Sequence, residues 1–283
     1  APAQPSAAPG ALPAPPAREV ARADWRAYPW LSTIERPDPL SRRFLPPAGY
    51  DLVPVAGESF GAWLRALPLR PEGWPVHLYD GSLKANQAAA AAVVWIDVGR
   101  EDLQQCADAV IRLRAEYLYS RPQSRGDISF HFTNGVAAPW QDWAAGKRPM
   151  IDGNSVSWKD LAPPREDHVA FRGYLSNVFE YAGAQSLAKE LEKVDDPARV
   201  EPGDVFIHPG APGHAVLVLD VAANAGGERM FLLAQSYMPA QEIHVLTNPA
   251  TPGVAWYPAR ASGPLVTPEW QFDYRELRRF PRR

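Results

Sequence analysis

The single cysteine, Cys106, and the histidine His214 are the residues whose types and positions could support nucleophilic chemistry. Cys106 lies near the start of the strongest helical pattern in the chain, and His214 opens a strand that is otherwise almost wholly apolar. A thiol becomes an effective nucleophile when a neighbouring imidazole accepts its proton. The pair therefore defines a candidate acyl-transfer site, if the fold brings the two residues together.

The helical pattern around Cys106 has one apolar stripe that faces the core. The stripe consists of Leu103, Cys106, Val110, Leu113 and Tyr117. Asp102 and Gln105 resemble a capping box, which predicts that the helix begins at Leu103, about one turn before Cys106. At that position the helix dipole favours the thiolate form. The alternative is that Cys106 is a small buried hydrophobe without chemistry, which is usual for a lone cysteine on an apolar stripe.

Strand patterns dominate from residue 204 onward, over 204–208, 214–221, 229–236 and 241–246. If 214–220 and 229–236 pair as a hairpin, position 235 or 236 lies opposite His214. We therefore expect Gln235 to orient the imidazole, with Ser236 as the second candidate. Asp220 is less suitable because six residues of strand span about 20 Å.

The rest of the chain adds helices and further strands. Strands are predicted over 74–80, 91–98 and 127–133. Helices are predicted over 59–67, 140–146 and 167–183, and Gly183 is the expected C-cap of the last one. A further helical segment is predicted over 184–194. Helices first and then a mainly antiparallel run of strands predict an α+β fold. Residues 1–23 read as an Ala/Pro-rich disordered tether, and residues 24–283 as a single α+β domain.

An acyl-transfer site also needs hydrogen-bond donors for the oxyanion. The backbone N–H of Cys106 is one candidate, because the first amides of a helix have no partner within the helix. The segment LYDGSLKANQ supplies Tyr79, Lys84 and Gln87 as further candidates for oxyanion or substrate contacts. A turn with solvated polar side chains explains the same segment equally well.

Composition excludes several classes of function. The formal net charge is −3, without a basic cluster, which argues against nucleic acid and anionic lipid as partners. There is no apolar run of about 18 residues, so no transmembrane segment is predicted in this chain. Asp204, His208 and His214 gather possible metal donors but lack a recognised zinc spacing. The sequence therefore predicts neither a metal nor a cofactor.

Two segments together resemble the NlpC-type branch of papain-like cysteine hydrolases. They are QCADAVIRLRAEYL and GDVFIHPGAPGHAVLVLD. The resemblance implies a helix packed on a mainly antiparallel sheet, with an insertion over roughly 120–191. It implies that Cys106 is the nucleophile, that His214 is the base, and that a polar residue on the next strand orients the imidazole.

Four further segments resemble an uncharacterised bacterial family known only as a domain of unknown function. They are LYDGSLKANQ, DLQQCADAVIRLRAEYL, HFTNG and LLAQSYMPAQEIHVL. This second resemblance covers most of residues 28–280. It implies no established activity.

The Ala/Pro-rich start without an initiator Met is typical of an exported protein whose signal segment has been removed, although an engineered chain would begin in the same way. Taken with the first resemblance, it implies a periplasmic or cell-envelope cysteine hydrolase that cleaves an amide bond, with cell-wall peptide as the expected substrate. Two alternatives stay open: a related Cys–His acyltransferase, and a non-enzymatic binding or structural module of the envelope.

Overall fold

The computed structural model describes residues 25–31 and 38–281. The tether predicted over residues 1–23 lies outside the described residues. The described residues form the α-helices α1 (Leu40–Arg43), α2 (Phe60–Arg65), α3 (Cys106–Tyr119), α4 (Trp140–Ala144), α5 (His168–Tyr181) and α6 (Ala184–Glu190). The strands are β1 (Asp38–Pro39), β2 (Tyr50–Leu52), β3 (Pro68–Leu69), β4 (Ala90–Val93), β5 (Ser129–His131), β6 (Ala137–Pro139), β7 (Lys147–Asp152), β8 (Ser155–Asp160), β9 (Glu192–Lys193), β10 (Val205–His208), β11 (His214–Asn224), β12 (Arg229–Gln235), β13 (His244–Leu246), β14 (Tyr257–Pro258), β15 (Pro264–Val266), β16 (Gln271–Asp273) and β17 (Leu277–Arg279).

A nine-stranded sheet forms the centre of the fold, in the order β4-β13-β12-β11-β10-β17-β9, with β14 on β12 and β2 on β11. Each of these pairings is antiparallel. The mainly antiparallel α+β architecture predicted from the sequence is therefore confirmed. Among the described residues, no helix combines the length and the apolar character that crossing a membrane requires.

Strand β11 is buried on both faces, and its side chains alternate between two hydrophobic clusters. Ala215 and Leu217 belong to the larger cluster, which also contains the apolar residues of α3. Val216 and Val218 belong to the smaller cluster on the other face of the sheet. Helix α3 thus packs on one face of β11 while a second apolar layer covers the opposite face.

Several predicted strands are shorter in the structure, among them 127–133, which becomes β5, and 241–246, which becomes β13. The segment 74–80 contributes only isolated bridges, at His77 and Leu78, and the strand predicted over 91–98 is β4, which ends at Val93. Beyond β4 the chain turns toward β3, where the amide of Trp95 donates to the carbonyl of Pro68. An apolar run indicates burial, but the length of a strand depends on its hydrogen-bonding partner.

The helix that carries Cys106 begins three residues later than predicted. Gln105 is its N-cap, and Asp108 Oδ2 accepts the Gln105 N–H at 3.0 Å. Asp102, expected to cap the helix, instead accepts the Ala240 N–H through Oδ1 at 2.6 Å. Cys106 is consequently the first residue of α3.

The predicted C-cap at Gly183 is also wrong. Helix α5 ends at Tyr181 with Ala182 as its C-cap, and Gly183 is the N-cap of α6. The Gly183 N–H donates to Ser186 Oγ at 3.0 Å, so the residue starts the next helix.

Candidate functional site

The thiol of Cys106 lies at the start of α3 against the first residues of β11. Its Sγ is 4.0 Å from the carbonyl oxygen of Gly213, the residue before His214. Burial raises the pKa of the Cys106 thiol to about 11, with a smaller contribution from the Asp108 carboxyl, while the amides of Ala107 and Ala215 act in the opposite direction. The thiolate expected from the helix dipole therefore does not form near pH 7, because burial outweighs the dipole.

A cavity of about 560 Å³ opens beside the thiol. Its lining includes Cys106 and Asp108 from α3, Gly183 at the start of α6, and Gly213 before β11. The side chain of Met238, which is 52% exposed, lies at its edge. As the first residue of α3, Cys106 has a backbone N–H without an acceptor within the helix, which is the kind of donor that an oxyanion site uses.

The imidazole of His214 is 1% exposed and is packed among aromatic rings. Its ring centroid is 4.9 Å from that of Tyr237, 5.1 Å from that of Trp270 and 5.7 Å from that of Phe272. Burial lowers the pKa of His214 to about 4, and the nearby Lys84 lowers it further, against the hydrogen bond to Gln235 and the charge of Glu269. The ring is therefore neutral at pH 7.

A series of hydrogen bonds connects this imidazole to Gln235, Glu269 and Lys84. His214 Nε2 is 2.9 Å from Gln235 Oε1, and Gln235 Nε2 donates to Glu269 Oε2 at 2.7 Å. Lys84 Nζ donates to both oxygens of Glu269, at 2.7 and 2.9 Å. No hydrogen bond reaches His214 Nδ1 within the described part of the chain.

The thiol and the imidazole approach the start of β11 from different faces of the sheet. Cys106 begins the helix that packs on the Ala215 face, whereas the His214 ring contacts Phe272 in the smaller cluster. His214 is not among the residues that line the cavity. Tyr237 lies near both groups. Its ring contacts the His214 ring, and the pKa of its hydroxyl is raised by burial, by Glu269 and by the charge of Cys106. The structure thus places the thiol beside the backbone of Gly213 and Ala215, and among the described residues no hydrogen bond joins Sγ to the His214 ring.

The predicted orienting residues have different surroundings. The prediction that position 235 or 236 lies opposite His214 is wrong, because Leu217 pairs with Ala234 and Gln235 therefore lies opposite Val216. The Gln235 side chain nevertheless lies 2.9 Å from His214 Nε2. Ser236 Oγ lies 2.9 Å from the carbonyl of Gln104 and 2.8 Å from that of Gln241. It therefore binds the segment before α3 to the sheet and does not contact the imidazole.

The three residues predicted for oxyanion or substrate contacts are separated. The side-chain amide of Gln87 accepts from the Val76 N–H and donates to the carbonyls of Val76 and Lys84. These bonds stabilise the turn between Val76 and Lys84. The N–H of Tyr79 donates to the carbonyl of Ala240. Lys84, 6% exposed, donates to Glu269, and its Nζ lies 5.5 Å from the centroid of the Tyr237 ring. None of the three lines the cavity at Cys106.

The side chains considered as possible metal ligands, Asp204, His208 and His214, form other contacts in the structure. Asp204 accepts two hydrogen bonds from Arg279, and His208 Nδ1 lies 2.6 Å from Glu276 Oε1. Within residues 25–31 and 38–281, no group of three or more metal-ligating side chains is found. Asp220, already disfavoured as the third member, forms a bidentate ion pair with Arg65.

Sequence reasoning missed Glu269, Trp270 and the contact of Tyr237 with the imidazole. Glu269 is 34 residues from Gln235 and lies in the segment PEWQFD, which has no periodic or motif signal. Tyr237 follows the predicted pair Gln235 and Ser236, so its position next to the site was visible in the sequence. The contribution of Glu269 depends on tertiary contacts alone.

Comparison with known proteins places the chain in one family. A family model described as a domain of unknown function (4846) matches residues 40–279. The chain therefore belongs to that family. No curated protein matches, and no solved structure matches.

Proposed function

We propose that this protein is a cysteine hydrolase of the cell envelope that cleaves an amide bond in cell-wall peptide. Cys106 is the nucleophile, His214 the base and Gln235 the residue that orients the imidazole. The observation that carries the proposal is the position of Cys106 Sγ against the backbone that flanks His214, while His214 Nε2 is bonded to Gln235. This leaves Nδ1 as the unprotonated ring nitrogen, and the proposal requires the thiol to reach it when substrate is bound.

In the proposed reaction, His214 Nδ1 takes the proton from the Cys106 thiol as Sγ attacks the amide carbonyl carbon. The Cys106 N–H stabilises the resulting oxyanion. The C–N bond then breaks, and the imidazolium gives its proton to the departing amine. Water next attacks the thioester with His214 as base, which releases the carboxylic acid and restores the thiol.

The pKa values of the two groups bear on the timing of proton transfer. Burial raises the pKa of Cys106 to about 11 and lowers that of His214 to about 4, so both are neutral at pH 7. A preformed thiolate–imidazolium pair is therefore not the resting state. Proton transfer has to accompany the attack on a bound carbonyl group.

The direct test is incubation of the full chain with soluble stem peptides released from bacterial cell walls, followed by mass spectrometry. We expect cleavage by the natural sequence, loss of cleavage in Cys106→Ala and His214→Ala, and normal cleavage in His131→Ala. His131 is a matched control because it lies on β5 and contacts Glu190. Cleavage that survives in Cys106→Ala, or no cleavage by the folded natural sequence, would overturn the proposal.

A non-enzymatic binding module is the second candidate. The protonated thiol donates to the Gly213 carbonyl, and the imidazole is almost wholly buried, as expected if both groups are structural. In that case the 560 Å³ cavity holds a ligand without chemistry. Retention of cell-wall peptide by both the natural sequence and Cys106→Ala, without cleavage by either, would favour this function.

A further inference from the structure

We propose that Glu269 is a positioning residue that determines which ring nitrogen of His214 carries the proton. It fixes the proton on Nε2 and leaves Nδ1 as the unprotonated nitrogen. The value of this arrangement for catalysis rests on the proposed function, but the position of the proton can be measured without any activity. A series of contacts joins Lys84 to His214 through Glu269 and Gln235.

The first step is the charge state of Glu269. Lys84 Nζ donates to both of its carboxylate oxygens, and the side chain of Lys84 is only 5% exposed. A buried ammonium without a carboxylate partner would be strongly disfavoured, so the pair is held in its ionised form. An ionised carboxylate has acceptors only.

The second step is the orientation of the Gln235 amide. Its two ends have nearly the same shape, so only hydrogen bonding decides which end faces which neighbour. Gln235 Nε2 lies 2.7 Å from the Glu269 carboxylate, a charge-assisted contact. The reversed amide would place its oxygen against the carboxylate oxygen, which is repulsive. Glu269 therefore turns the carbonyl oxygen of Gln235 toward His214.

The third step is the imidazole. Gln235 Oε1 accepts only, and it lies 2.9 Å from His214 Nε2, so Nε2 must carry the proton. Tyr237, Trp270 and Phe272 pack around the ring, which is 1% exposed in the structure, so solvent offers no ready partner for the wrong nitrogen. In such a dry environment an incorrectly placed proton leaves two unpaired polar atoms.

A second buried histidine provides an internal comparison. His244 Nδ1 lies 2.9 Å from the backbone carbonyl of Glu242, and its Nε2 has no hydrogen-bond partner. A carbonyl can only accept, so His244 carries its proton on Nδ1. Burial lowers the pKa of His244 to about 4, as it does for His214. The protein therefore holds two neutral, buried imidazoles in opposite tautomeric forms, and only that of His214 depends on Glu269.

The test uses the full chain labelled with ¹⁵N-histidine, because imidazole ¹⁵N chemical shifts distinguish the two tautomers. At pH 7 we expect His214 as the Nε2–H form and His244 as the Nδ1–H form. In Glu269→Gln the amide at 235 can turn over, so we expect the ratio of Nε2–H to Nδ1–H at His214 to fall by about tenfold or more. The exchange variant Gln235→Glu with Glu269→Gln restores an acceptor-only group at 235, and we expect it to restore the Nε2–H form.

The control variant is Glu276→Gln, which removes a carboxylate from another histidine, His208, and should leave the His214 shifts unchanged. An unchanged His244 signal verifies that each variant is folded. A natural sequence with His214 in the Nδ1–H form would overturn the inference, even if no variant folds. So would a Glu269→Gln variant that keeps the Nε2–H form unmixed. Absence of peptide cleavage together with the expected shifts would overturn the proposed function and leave this inference standing.

Discussion

Asp108 accepts the Gln105 N–H through Oδ2 at 3.0 Å, while its Oδ1 is buried without a hydrogen-bond partner. The carboxyl is 6% exposed and lies two residues beyond Cys106 at the cavity. Burial raises the pKa of Asp108 to about 8, against the hydrogen bond from Gln105. The start of the cysteine helix is thus capped by a carboxyl that keeps its proton at neutral pH.

Asp108→Asn should change how stability depends on pH. The pKa of this carboxyl is about 8 in the folded protein and about 3.9 in the unfolded chain, so the folded state binds the extra proton between these values. The stabilisation is complete below about pH 4 and is lost as the pH rises toward 8. We expect the free energy of unfolding of the natural sequence, relative to Asp108→Asn, to fall by up to about 1.4 kcal/mol per pH unit in that window.

Denaturant unfolding of both proteins at several pH values between 4 and 9 measures this difference. The buried imidazoles of His214 and His244 titrate in both proteins, so their contributions cancel in the comparison. Parallel stability profiles for the two proteins would contradict the assignment of a raised pKa to Asp108.

Alkylation of Cys106 should be slow at neutral pH and should accelerate with pH. With the pKa raised to about 11 by burial, about one thiol in a thousand is ionised at pH 8. We expect the rate with iodoacetamide to rise about tenfold per pH unit from 7 to 9.5. The protein has one cysteine, so mass spectrometry of the labelled chain reports this thiol alone. The unfolded chain, with a pKa of about 8.5, is the control. A rate that levels off below pH 8 would show that the thiolate forms far more readily than burial allows.

Ser236→Ala should reduce stability and leave the imidazole unchanged. The hydroxyl is fully buried and lies between the carbonyls of Gln104 and Gln241. Its loss leaves buried acceptors without a donor, which costs about 1–3 kcal/mol. We expect a lower denaturation midpoint with unaltered His214 ¹⁵N shifts. A shift in the tautomer ratio would instead indicate that Ser236 helps to orient the ring.

Asp220→Asn should destabilise the protein without affecting the site. Arg65 donates to both oxygens of Asp220, whose side chain is 2% exposed, and so ties α2 to β11. Breaking a buried pair by removing one charge costs about 3–5 kcal/mol. Thermal unfolding measures the loss, with Asp196→Asn, at an exposed surface pair with Arg199, as the matched control. Equal midpoints for the two variants would contradict the importance of the buried pair.

The late strands could be predicted from the sequence because they depend on local pattern, whereas the pairing register that puts Gln235 opposite Val216 could not. Short, nearly continuous apolar runs located β10, β11 and β12, and the short hairpin connection limited which residues could meet His214. The start of α3 could not be read in this way, because Asp102 resembles a cap but is used by Ala240, far along the chain. The protonation of the thiol also depends on tertiary burial, which a helix-end argument does not contain. Glu269 was invisible for the same reason, since its partners Lys84 and Gln235 are distant in sequence.

The segment that fixes the imidazole belongs to the last part of the family domain. Glu269, Trp270 and Phe272 lie within the final eleven residues of the matched range 40–279, after Cys106, His214 and Gln235 have all been synthesised. A nascent chain stopped before Glu269 would contain the thiol, the imidazole and the amide, but not the groups that contact the imidazole and the amide. Assembly of the site therefore waits for synthesis of the carboxyl-terminal residues, so a ribosome-bound intermediate lacks it.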